Sequence, residues 1–199
     1  MLSSDYLFRD ILKHENLKQP DLLIGILKAI ALQLGSEVTL RELSNLLKTS
    51  VETIQRYIEI LERSFVLFHL TSFSRNLRNE LARKRKYFFY DIGIRNSLIQ
   101  NLNILTNRAD IGGIWENFCI VERMKCLQKS SEKANYYFWR TYQQHEIDFI
   151  EETGGNLRAY AFKWNPKAKY KIPKLFLETY PETTFTVINR SNFKENFLT

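Results

Sequence analysis

Cysteine is nearly absent: the 199 residues hold only Cys119 and Cys126. Two thiols cannot build a disulfide framework, and they fit a chain kept reduced in the cytoplasm. Glycine and proline are scarce, at seven and four, and nowhere gather into a flexible linker. No apolar run approaches the length of a membrane span, so no membrane partner is expected. The first ten residues carry Asp5 and Asp10 and lack an apolar stretch, which excludes a secretory signal. His14, His69 and His145 are scattered without metal-ligand spacing, which argues against zinc.

What is present supports a folded protein. The hydrophobic share is 44% and the aromatic share 14%, enough for a packed core. Lys and Arg number 29 against 22 Asp and Glu, a net charge of +7. That balance permits nucleic acid as a partner without demonstrating it. The excess is not a basic tail, because both halves of the chain are mildly basic.

The grammar changes along the chain. Up to about residue 63 the apolar spacing is helical. Tyr6 to His14 reads as a short helix. Pro20 opens a second, with Leu22, Leu23, Ile26, Leu27 and Ile30 on one side and Gly35 beyond its end. Thr39 and Glu42 form a capping box, starting a helix that should bury Leu40, Leu43, Leu46 and Leu47. Ser50 caps the next, with Val51, Ile54, Tyr57, Ile58 and Leu61 inward. Two helices joined by so short a turn are the pattern of a helix-turn-helix. Phe65 to Phe73 and Lys86 to Tyr90 read as a strand pair, which gives the winged form. Between and beside them Arg75, Arg78, Arg83, Lys84, Arg85 and Lys86 oppose Glu80 alone. This basic wing is the expected DNA contact, with Arg56 of the recognition helix. That helix otherwise offers Glu52, Glu59 and Glu62, a poor face to set against phosphates. A protein-contact role without nucleic acid is the competing expectation.

Asp91 caps a helix through Leu98, and another runs from Ile114 to Gln128. Trp115 and Trp139 read as core aromatics, and Cys119 and Cys126, seven apart on a helix, as buried free thiols. Three β-type runs follow: Tyr136 to Thr141, Glu146 to Glu151 and Leu157 to Trp164, with Gly154-Gly155 turning between the last two. A helix over Pro173 to Thr179 and a strand over Thr184 to Asn189 complete the chain. The expected fold is α+β: a winged helix over 1–90, then an α/β domain with a small mixed sheet over 91–199. Glu116, Asp148 and Lys163 are its chemical candidates. Two acids and a lysine meeting at a sheet suit Mg²⁺-dependent phosphodiester hydrolysis. The acids hold the cation, and the lysine orients water or stabilises developing charge.

Ten stretches carry a resemblance that covers almost the whole chain. They are Tyr6 to Leu12, Leu32 to Ser36, Thr53 to Tyr57, Leu61 to Phe65, Phe73 to Asn76, Lys86 to Asn96, Gly113 to Phe118, Tyr137 to Thr141, Glu146 to Phe149 and Phe162 to Trp164. In this order they resemble the C-terminal region of prokaryotic AAA+-type ATPases, where a winged helix precedes a domain of unknown function related to the PD-(D/E)xK restriction-endonuclease-like fold. The resemblance implies an ATPase domain as partner, in cis or in trans. It also implies a nuclease-like site at Glu116, Asp148 and Lys163. Two departures matter. No G-x-x-x-x-G-K-[ST] phosphate loop occurs, so no ATP hydrolysis is expected from this chain. The nuclease-like pattern also places an acid two residues before the lysine, where this chain has Ala161. Glu146 lies on the same strand face as Asp148 by alternation and offers a partial substitute. The expectation is therefore a degraded site within a nucleic-acid- or partner-binding region, with an active Mg²⁺-dependent endonuclease as the alternative.

Overall fold

The computed structural model describes residues 19–74, 85–129, 133–141 and 143–197. The expected helix over Tyr6 to His14 lies outside them, as do Arg75, Arg78, Arg83 and Lys84. The described residues form seven α-helices and seven strands, an α+β chain. None of these helices is long and apolar enough to cross a membrane. The described parts of Met1–His69 and Lys84–Arg108 make one compact unit, and those of Leu70–Arg83 and Ala109–Thr199 another.

The first unit runs α1 (Pro20–Leu32), β1 (Glu37–Val38), α2 (Leu40–Leu47), α3 (Val51–Arg63), β2 (Leu67–Ser72, as far as His69), β3 (Arg85–Phe89) and α4 (Ile92–Leu98). Local chemistry sets these boundaries. Pro20 occupies the first turn of α1, where a missing N–H costs nothing. The Thr39 hydroxyl accepts the Glu42 N–H at 3.1 Å, and Ser50 accepts that of Thr53 at 3.1 Å, so both predicted caps form. Asp91 caps α4 by accepting the Gly93 N–H at 2.6 Å. Leu23, Ile26, Leu27, Leu43, Ile54, Ile58 and Leu61 fill the core with Tyr87 and Phe89. Leu46 departs from expectation: it is 60% exposed, while Leu40 and Leu47 only flank that core. Phe65 is not in a strand. It holds φ of 54° just past α3, and β2 begins at Leu67.

Strand β3 lies between β1 and β2. This position corrects one expected DNA contact. Lys86 stands across from Glu37 and is 1% exposed, so its ammonium cannot reach a phosphate. Arg85 is half-buried, and Arg56 stays exposed on the outer face of α3. The division between units also falls later than residue 90. Arg95 donates from Nε to the Ala31 carbonyl at 2.9 Å. Arg108 reaches the Asn101 carbonyl at 2.6 Å and the Asn96 side chain at 2.9 Å. The Arg95 bond ties this segment to α1 of the first unit, and the Arg108 bonds brace the segment as far as residue 108.

The second unit contains α5 (Ile111–Lys129), β4 (Asn135–Arg140), β5 (Glu146–Thr153), β6 (Asn156–Phe162), α6 (Lys174–Thr179), β7 (Thr184–Ile188) and α7 (Phe193–Phe197). Strands β4, β5 and β6 are antiparallel in sequence, and β7 joins β6 in parallel. The end of β2 belongs here: Thr71 and Ser72 pair in parallel with Tyr137 and Phe138 of β4. Phe73, Trp139, Ile147, Ile150, Leu157, Ala159, Phe176 and Tyr180 form this unit's apolar cluster. The short helix α7 carried no strong sequence signal, yet Phe193 and Phe197 are both buried.

Candidate acidic site of the second unit

Strand β5 carries two of the acids, and its geometry is irregular. Tyr137 of β4 pairs with Ile150, and Trp139 with Ile147. Two steps on β4 thus face three on β5, the signature of a β-bulge. Ile147 and Ile150 can then both enter the apolar cluster, which strict alternation forbids. Asp148 and Glu151 are released toward side chains of α5. Glu151 is fully buried and takes a bidentate contact from Arg123, at 2.5 Å from Nε and 3.0 Å from Nη2. Burial alone lowers the affinity of Arg123 for its proton, but the Glu151 contacts outweigh it and the net shift is upward. The pair has no signal in the sequence, since Glu151 and Arg123 match no motif.

Hairpin register brings Asp148 to its partners. Gly154 and Gly155 hold φ of 56° and 85°, and Thr153 pairs with Asn156 across them. The ladder runs to Phe149 opposite Tyr160. Beyond it the Asp148 carboxylate accepts the Phe162 N–H at 2.7 Å. The same oxygen lies 3.4 Å from Lys163 Nζ. From α5, Trp115 meets Trp164 edge-on at 5.5 Å, which sets the neighbours of Glu116 and Lys163 side by side. Glu116, Glu146 and Asp148 each offer a carboxylate oxygen within 4.8 Å of the others. The structure therefore brings together Glu116, Asp148 and Lys163, and adds Glu146. Ala161 is fully buried opposite Val187 and supplies no ligand.

Gln144, His145, Glu146, Asp148, Lys163 and Tyr170 line a cleft of about 280 Å³, with Lys171 at its side. Arg140 Nε lies 3.8 Å from Glu146. The Tyr170 hydroxyl donates to the Glu146 carbonyl, and burial holds its phenol well above the usual range, with Asp148 and Glu146 adding to the shift. Lys163 sits 5.1 Å over the Tyr170 ring. The donor set is all carboxylate oxygen, which fits a hard divalent cation of the Mg²⁺ or Mn²⁺ class rather than zinc. Cys119 is buried on α5 and Cys126 donates to the Phe197 carbonyl at 2.8 Å, so neither thiol joins the site.

Comparisons with known proteins divide the chain near the same place as its contacts. Residues 111–197 match the model of a domain of unknown function, DUF4143. Domains of that kind are commonly the C-terminal part of AAA-type ATPases. The proteins named Uncharacterized protein Mb2031c of Mycobacterium bovis and Uncharacterized protein Rv2008c of Mycobacterium tuberculosis are each 29% identical to this chain over 124 residues. Those matches cover 61% of this chain and 27% of each relative, so the chain spans about a quarter of their length. No solved structure matches the chain. Residues 2–105, just over half of the chain, match the model of another domain of unknown function, DUF8612, and the chain belongs to that family.

Proposed function

We propose that this chain is the C-terminal region of an AAA-type ATPase family protein, held in the cytoplasm, and that its second unit hydrolyses phosphodiester bonds of nucleic acid with a divalent cation. One observation carries the reading: Glu116, Glu146 and Asp148 converge within 4.8 Å beside Lys163. Glu146 supplies the third acid that Ala161 lacks, which favours an active site over the degraded one expected from sequence. Three carboxylates so close repel one another, and a cation among them relieves that repulsion. Glu116, Glu146 and Asp148 would hold it, with Asp148 oriented by the Phe162 N–H. When bound, such an ion polarises the phosphate and lowers the pKa of attacking water. Lys163, which lines the same cleft, would stabilise charge on the phosphate oxygens.

The first unit supports the companion role. Its order of helix, strand, two helices and two strands is the one a winged helix requires. DNA contact there falls to the segment between β2 and β3, with Arg85 and Arg56, since Lys86 is buried.

A second reading has its own support. Lys163 already contacts Asp148 at 3.4 Å, an arrangement that stabilises the carboxylate without metal. On that reading the unit only binds nucleic acid or a protein partner. Cleavage of plasmid and single-stranded DNA in Mg²⁺ or Mn²⁺ separates the two. We expect cutting by the native chain, lost in Asp148→Ala, together with Mn²⁺ binding by calorimetry that weakens in Glu146→Gln. Absence of both cutting and metal binding leaves the second reading standing.

A further inference from the structure

Resting on that reading, we infer that the lysine-rich segment after β6 is a phosphate-backbone track that lays a nucleic-acid strand along the acidic cleft. Residues 163–174 contain Lys163, Lys167, Lys169, Lys171 and Lys174 and no acid. Lys174 is engaged by Glu178 at 3.6 Å. Lys167, Lys169 and Lys171 are exposed.

The segment has no helix or strand of its own, yet it is fixed in place. Asn165 makes a turn that receives the Lys167 N–H on its side chain and the Ala168 N–H on its carbonyl, both at 3.0 Å. Tyr170 then anchors the middle. Its hydroxyl bonds the Glu146 carbonyl, and its ring stacks on Phe185 at 5.5 Å. Exposed Lys169 and Lys171 thus flank a half-buried tyrosine pinned to the strand that carries the acids. Lys171 lines the same cleft as Asp148 and Glu146. Arg190 adds charge at the start of the segment, 4.4 Å over Trp164 with Nε bonded to its carbonyl.

The chemistry selects the ligand. Arg190 already sits over the Trp164 ring, and Phe185 and Lys163 against the Tyr170 ring, so both aromatics are engaged within the protein. Contact is then through phosphates, which makes it tolerant of sequence and sensitive to salt. A flat anionic membrane would press its phosphates onto the carboxylates of the cleft. A single strand or duplex edge can follow the lysines and present one phosphodiester to them.

The test uses the full chain in EDTA, where cutting is silent, and a short fluorescent DNA duplex. The track variant is Lys167→Gln, Lys169→Gln and Lys171→Gln together. Lys28→Gln, Lys48→Gln and Lys129→Gln remove the same charge elsewhere. Each lost phosphate contact flattens the slope of log affinity against log salt by about 0.9. We expect the track variant to flatten that slope by about two to three and to bind at least about tenfold more weakly at low salt. The control triple should stay within about twofold, and both should keep the native melting temperature. Asp148→Ala should still bind in EDTA, so a failed cleavage assay with an intact track effect overturns the hydrolase and spares the track. Equal losses in both triple variants overturn the track. So does unchanged DNA binding, including the case where the three lysines instead govern capture by phosphatidylserine vesicles.

Discussion

Single side chains in this protein register their surroundings in how they titrate. Burial lifts the phenols of Tyr87 and Tyr160 from 10 to about 12, with the charge of Glu151 adding to the second and Arg85 opposing the first. Both groups are neutral in folded and unfolded chains below pH 10, so their contribution is fully present there. Between pH 10 and about 12 the unfolded chain releases protons that the folded chain keeps, and stability falls as pH rises. Urea midpoints measured across that window should decline, and phenolate absorbance should show Tyr87 and Tyr160 titrating late, along with Tyr90 and Tyr170. At this scale the sequence was partly legible. Glu116, Asp148 and Lys163 were recognisable because their types and order match a known chemistry, and the caps at Thr39, Ser50 and Asp91 because capping is local. Lys86 was misread because a run of basic residues looks uniform in sequence. Its burial follows from β3 lying between two strands, which no local pattern reveals. Lys167, Lys169 and Lys171 match no motif, and their placement follows from Tyr170 and Glu146 meeting across 24 residues.

The β5–β6 hairpin is the element on which the site depends. Its turn requires positive φ at both Gly154 and Gly155, and a Cβ at either meets nothing within 4 Å. A substitution there tests conformation alone. Gly155→Ala should cost about 1–2 kcal/mol by denaturant titration, while Gly154→Asn stays close to native because Asn tolerates the left-handed region. The hairpin was predictable from its Gly-Gly signal, and so were most strands and helices to within a few residues. The bulge in β5 was not. It arises because Ile147 and Ile150 both pack against Trp139, Phe176 and their neighbours, and that demand is tertiary. Strict alternation correctly puts Glu146 and Asp148 on one side, but places Glu151 opposite them. Helix α7 was missed for a similar reason: five residues carry too little periodicity, and only the packing of Phe193 and Phe197 defines them.

At the scale of the whole molecule the expected boundary at residue 90 follows from local pattern, where the second wing strand ends and the Asp91-capped helix begins. The contacts divide the chain differently, since Leu70–Arg83 groups with Ala109–Thr199. Phe73 donates its N–H to the Phe138 carbonyl at 2.6 Å and packs on Tyr137 and Tyr180. A fragment spanning 109–199 should therefore melt well below one spanning 70–199, by roughly the 3–5 kcal/mol that emptying a buried Phe site costs. Calorimetric melts of the two purified fragments check this. The interleaving also bears on inheritance. A gene crossover is a single cut. A cut after codon 69 strips the first unit of β3, and one after codon 108 strips the second of the strand end that pairs with β4. No single breakpoint hands both units intact to separate fusions. Lineages that shuffle the second unit must either carry β3 and α4 along with it or find a new strand to seal the exposed edge of β4.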